Sequence, residues 1–191
     1  MTLLLRTLAL AFSMGSYVLA SAGGSGSEFL VQIGSSLRDT QVAVEGHEHK
    51  IRALCSMDQI PEDNFEFAEK ISSELTGIST NLTNLKKKFD NLTAPNEALV
   101  TPLNLTINAT TGILNSLMNS YNLVTALLGP AMREKNEVDL PAISLAMTKV
   151  LVELFARFKL NIRSEIRKGI DLNAFEKAKY DFNNIAYLFM E

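Results

Sequence analysis

Between Ala68 and Leu92 the apolar residues fall at alternating steps of three and four: Ala68, Ile71, Leu75, Ile78, Leu82, Leu85, Phe89 and Leu92. That spacing lines one side of a helix with a single stripe and leaves Ser72, Glu74, Thr80, Asn84 and Lys87 outside it. A one-sided helix has to lay its stripe against something, so the chain must supply partner helices.

The partners are legible in the same way. Leu30, Ile33, Leu37, Thr40, Val44, His47, Ile51 and Leu54 repeat the pattern in a first helix expected from Glu28, with a kink expected near Gly46. Pro61 ends that helix, and Glu62, Asp63 and Glu66 suit the positive start of the second. Lys86, Lys87 and Lys88 suit its negative end. Thr93 to Glu97 resembles a capped start for a third helix carrying Val100, Leu103, Ile107, Thr110, Leu114, Leu117, Tyr121, Val124 and Leu128. Leu103 to Thr110 also alternates apolar with polar as a strand would, but no other segment offers a strand to pair with it.

Gly129-Pro130 stops the third helix, and Asp139 is expected to cap a fourth that runs from Leu140 to Lys168 and closes at a left-handed Gly169. It is apolar nearly all round except for Lys149, Glu153 and Arg157, spaced for pairing at four-residue steps, so it should be the most central helix. Asp171 caps a fifth helix, whose buried face is Leu172, Phe175, Phe182, Ile185, Ala186 and Phe189. The expected fold is all-α: one five-helix up-and-down bundle of long antiparallel helices over residues 28–191.

Residues 1–22 read as a secretory signal, with Arg6 in the basic region, an apolar run from Leu8 to Leu19, and cleavage after Ala20 or Ala22. Residues 23–27 form a flexible Gly/Ser leader. With the signal removed, the 18 basic residues fall to 17 against 21 acidic ones, a net charge of −4, which gives no general attraction to nucleic acid. The expected location is extracellular or in the cell wall, with no transmembrane segment once the signal is cleaved. Cys55 is the single cysteine, so no internal disulfide can form. It reads as a small, partly buried apolar residue in a monomer, with a Cys55-linked dimer as the alternative.

Chemistry is hard to place on this pattern. His47 and His49 stand two apart, which on a helix separates them by about 200°, so they do not converge on a metal. There is no nucleophile elbow, phosphate-cradling loop or paired-carboxylate signature, and the expectation is a non-enzymatic protein with no cofactor. Four Asn-x-Thr triplets, at Asn81, Asn91, Asn104 and Asn108, are candidate glycosylation sites that would put sugars over one side of the bundle. An apolar ligand is the remaining candidate. Leu114 and Leu117 with Met147, Leu151, Leu154, Phe155 and Phe158 read either as a well-packed core or as the wall of a tunnel among the third, fourth and fifth helices. Thr106, Thr110, Thr111 and Asn115 either meet a carboxylate head in such a tunnel or face water.

A third helix rich in Thr and Asn leads to Leu127-Leu128, a fourth opens with Asp139-Leu140-Pro141, and the last runs Ala174-Phe175 to Phe189. In this the chain resembles the fungal hydrophobic-surface-binding protein A family, which includes cell-wall mannoproteins. The resemblance covers Glu28 to Glu191 at the level of pattern and carries over no site residue. It implies a secreted helical protein that adsorbs to hydrophobic surfaces or holds a fatty acid between its helices. The other reading is a secreted protein–protein interaction module without a small-molecule ligand.

Overall fold

The computed structural model describes residues 25–56, 65–94, 103–127 and 138–190. The signal at 1–22 lies outside the described residues, as do the expected helix signals at Pro61, at Pro95 to Val100 and at Leu128 to Pro130. Four long helices come first: α1 Ser25–Cys55, α2 Phe65–Asp90, α3 Asn104–Leu127 and α4 Asp139–Val152. A π-helical turn, Glu153–Arg157, follows, and then α5 Arg163–Lys168, α6 Leu172–Lys177 and α7 Asn183–Tyr187. No strand occurs among the described residues, and the Leu103–Thr110 alternation is resolved as helix. Leu105, whose burial the strand pattern requires, is left exposed there.

The seam that organises the sequence does bury as its spacing requires. Ala68, Ile71, Leu75, Ile78, Leu82, Leu85 and Phe89 are all within the core, and Leu92 packs against it from just beyond the helix. On α1, Leu30, Ile33, Leu37, Thr40, Val44 and Ile51 are buried, and His47 and Leu54 are half-buried. That helix starts at Ser25, inside the expected flexible leader, and continues through Gly34 and Gly46.

The helices sit side by side in the order α3, α1, α2, α4. Gly34 receives Leu105, whose Cδ2 would lie 2.9 Å from an added Cβ, and Gly112 receives Gln41, whose Nε2 would lie at 2.2 Å. Asn119 Nδ2 donates to Glu48 Oε1 at 3.3 Å. These three pairs advance by seven residues on both helices, so α1 and α3 run parallel in a heptad register. Ser72 and Thr76 meet Asp139, and fourteen residues on Lys86 meets Glu153, so α2 and α4 are parallel too. Between α1 and α2 the direction reverses, since His47 meets Glu74 whereas Leu54 lies by Lys70. Successive helices therefore alternate in direction as expected, but each long helix packs chiefly on one two steps away in the chain, or on α1.

Between α3 and α4 lies the C-terminal segment, broken where one helix was expected. Tyr121 stacks on Phe182 at 5.0 Å and its hydroxyl accepts from Lys179 N at 2.7 Å; on the other side Ser144 Oγ donates to the Asp181 carbonyl at 2.8 Å. Those contacts hold Tyr180 (φ 57°) and Asp181 (φ 63°) left-handed, which costs about 1–2 kcal/mol per residue and explains why the break carries no glycine. Phe175, Phe182, Ile185, Ala186 and Phe189 are buried as expected, with Leu172 half-buried.

Four further expectations about the fourth helix are corrected. It is not continuous to Lys168: the π turn, closed by Phe158 N–H to Glu153 O at 2.8 Å, ends it, and Lys159 (φ 52°) turns the chain. The wider turn lets Glu153, Leu154 and Phe155 all be buried, which three consecutive residues of an α-helix rarely achieve. Asp139 does not cap the helix but takes Ser72 Oγ (2.6 Å) and Thr76 Oγ1 (3.3 Å) from α2. Gly169 has φ −98° and is needed instead for close approach, because a Cβ there would lie 2.6 Å from Thr111 Cγ2. Asp171 does cap as expected, accepting from Ala174 N at 3.1 Å. Nor is α4 central: Leu145 and Val152 face outward, and α1 and α2 occupy the middle of the row.

Two helical glycines give opposite predictions. Gly46 has open space around it, so Gly46→Ala should stabilise the fold by about 0.5–1 kcal/mol through helix propensity. At Gly77 an added Cβ would lie 2.3 Å from His47 Cε1, displacing the ring from Glu74. Urea unfolding should show Gly77→Ala at least about 1 kcal/mol worse than Gly46→Ala; equal effects would mean the ring moves freely.

Candidate functional site

The seven residues expected to line an apolar tunnel do come together, but as packed core. Leu114, Leu117, Met147, Leu151, Leu154, Phe155 and Phe158 are each at most 8% exposed. Phe158 is clamped between Phe29 and Phe89, and Phe155 lies against Phe189 and under the Arg163 guanidinium. Two of the polar groups expected to meet a carboxylate are committed elsewhere. Thr110 Oγ1 donates to the Thr106 carbonyl at 2.7 Å, Asn115 Nδ2 donates to the Gly169 carbonyl at 3.1 Å, and Thr111 packs on Gly169.

The open space lies elsewhere, between α2 and α4. These parallel helices approach through small residues, with Ser79 on one side and Ala142 and Ala146 on the other, leaving an open groove of about 700 Å³. Leu145 and Val152 supply the rest of its apolar wall and are 56% and 43% exposed. Ala142, Leu145, Ala146, Lys149 and Val152 recur at three- and four-residue steps, a second stripe on α4 beside the one that faces the core. An apolar helix with two stripes was legible in the sequence; that one of them would lie uncovered was not.

Charge is unevenly distributed along this groove. Lys86 pairs with Asp90 and lies 3.1 Å from Glu153, and those hydrogen bonds, Asp90 first, hold its ammonium above the usual lysine range. Glu153 also accepts from Arg157 at 2.8 Å; that pairing was expected. The expected Lys149–Glu153 pair is absent, because Glu153 at the head of the π turn reaches across to α2 instead. Lys87 and Lys149 are therefore left without an ion pair among the described residues. Three lysines against two carboxylates give the lining a net positive charge. Thr148 Oγ1, also on the wall, is buried without a hydrogen-bond partner.

Other polar residues pair within or between helices: Gln41 donates to Glu45 and accepts from Arg38, and buried Glu48 accepts from Arg52 and Asn119. His47 Nδ1 lies 2.6 Å from Glu74 Oε2, with Lys50 on the same carboxylate at 3.3 Å, whereas His49 is exposed, matching the seam position of one and not the other. No cluster of three or more His, Cys, Asp or Glu able to hold a metal occurs among the described residues. Cys55 is half-buried beside Leu123 and Asn119 at the far end of α1, and burial raises its thiol pKa, which disfavours the thiolate that disulfide exchange requires. None of the described helices is long and apolar enough to cross a membrane. No family model, curated protein or solved structure matches this chain.

Proposed function

We propose that this chain is a secreted, non-enzymatic helical protein that binds a fatty acid or similar anionic amphiphile in the α2–α4 groove. The observation that carries the reading is the exposed stripe of Ala142, Leu145 and Val152, floored by buried Ala146, beside Lys87 and Lys149, which have no ion pair among the described residues. An acyl chain laid on the stripe removes apolar surface on both sides from water, at about 0.8 kcal/mol for each methylene fully covered. The lysines favour an anionic head. The likeness to hydrophobic-surface-binding proteins supports the same ligand class, although the groove replaces a tunnel between helices. A face of this kind also fits adsorption to an apolar surface, and the leader at residues 1–22 supports an extracellular or cell-wall location.

Titration with a fluorescent long-chain fatty acid, together with native mass spectrometry, tests the proposal. The protein should bind one chain, and Leu145→Asp should weaken binding by about tenfold or more, or 1.4 kcal/mol, with little change in Tm because Leu145 is already exposed. Absence of binding, or unchanged affinity in the variant, would overturn it.

A further inference from the structure

Four asparagines stand in Asn-x-Thr triplets, and the fold sorts them by position along its long axis. The Phe158 ring touches both Phe29, near the start of α1, and Phe89, at the end of α2. The start of α3 lies at the same pole, since Leu105 packs over Gly34. Asn91 follows the last residue of α2, Asn104 is the first residue of α3, and Asn108 lies one turn further on; all three are exposed. Asn81 lies about 15 Å back along α2 and is half-buried. Three of the four sites thus gather at one end of the molecule rather than along one side.

We infer that this pole is N-glycosylated, with one oligosaccharide on Asn91 and another on the Asn104–Asn108 pair. The donor class is a polyprenyl-pyrophosphate-linked oligosaccharide. The asparagine amide nitrogen bonds to the anomeric carbon while the bond from that carbon to the pyrophosphate oxygen breaks. The lipid pyrophosphate leaves, the amide gives up one proton, and nothing is oxidised or reduced. A sugar on an exposed amide at a helix end extends into water without disturbing packing, whereas one on Asn81 meets neighbouring side chains. Asn104 and Asn108 are four residues apart on one helix face, so the first oligosaccharide there covers the second acceptor. The inference depends on the leader at residues 1–22 and stands apart from the groove.

The test is to produce the full chain with its own leader in a eukaryotic secretory host, release N-linked sugars enzymatically in heavy-oxygen water, and map the resulting aspartates by mass spectrometry. Two labelled sites are expected, Asn91 and one of Asn104 or Asn108, and Asn91→Gln should remove one oligosaccharide from the intact mass. An unmodified chain, inside the cell or in the medium, overturns the inference, as does sugar found on Asn81 with the pole bare.

Discussion

Replacing Phe158 by Ala is expected to cost about 3–5 kcal/mol of folding stability, a large share of the 5–15 kcal/mol typical of a domain. The ring is 5% exposed and meets Phe29 edge-on at 5.0 Å and Phe89 at 5.5 Å. Arg157 lies 5.2 Å from its centroid on the remaining side. One side chain therefore joins the start of α1, the end of α2 and the exit of the π turn. Truncation leaves a cavity among three chain segments, and close-packed rings relax into such a space only partly. Phe158→Leu, which fills most of the volume, should recover more than half of the loss. Denaturant unfolding gives both numbers; a loss below about 1 kcal/mol for Phe158→Ala would show that the pole repacks. Fatty-acid affinity of the folded variant should be unchanged, since Phe158 lies outside the groove.

How much of this was written in the sequence depends on whether burial or partnership decides the feature. The stripes on α1 and α2 bury as read because period alone settles which face is apolar. The α1–α3 register was also present, in Gly34, Gln41 and Glu48 against Leu105, Gly112 and Asn119. It becomes visible only once the two helices are known to be partners, because a glycine hole has meaning only with its knob. The breaks at Glu153–Arg157 and at Tyr180–Asp181 carry no glycine or proline, and are imposed by tertiary contacts from Tyr121, Ser144 and α2.

The open groove was hidden for the same reason. Leu145 and Leu151 are equally apolar, and spacing cannot tell which of two stripes on α4 a neighbour covers. The C-terminal segment covers the inner one by filling the gap beside α3, while nothing covers the outer one among the described residues. Unpaired Lys149 was similarly hidden, since the four-residue step to Glu153 predicts a pair that the π turn redirects towards Lys86.

The same turn makes Arg157 the second site of large effect, and Arg157→Met should destabilise the fold by about 2–3 kcal/mol. The last carbonyls of a helix have no partner within it, and here the guanidinium supplies one. Nη1 donates to the Phe89 carbonyl at 3.1 Å, and Nη2 donates to those of Asp90 (3.3 Å) and Leu92 (2.8 Å). Nη1 also donates to Glu153 Oε2 at 2.8 Å, where the carboxylate side chain is only 11% exposed. Methionine keeps the apolar stem but loses every donor, so the end of α2 keeps only its backbone turn, in which Asn91 N–H donates to Lys88 O at 3.2 Å and Leu92 N–H to Phe89 O at 3.0 Å, and Glu153 retains Lys86 alone. Because Arg157 is itself 37% exposed, water replaces part of what is lost, which keeps the cost below the sum of its hydrogen bonds. Arg157→Lys should recover the charge on Glu153 but not the fork that spans three carbonyls, and so fall between. Hydrogen exchange separates the two contributions: amides in the last turn of α2 should exchange faster in both variants, more so in Arg157→Met. Exchange confined to wild-type rates, with stability unchanged, would mean that the backbone turn after Lys88 and the Phe89–Phe158 contact hold the helix end without Arg157.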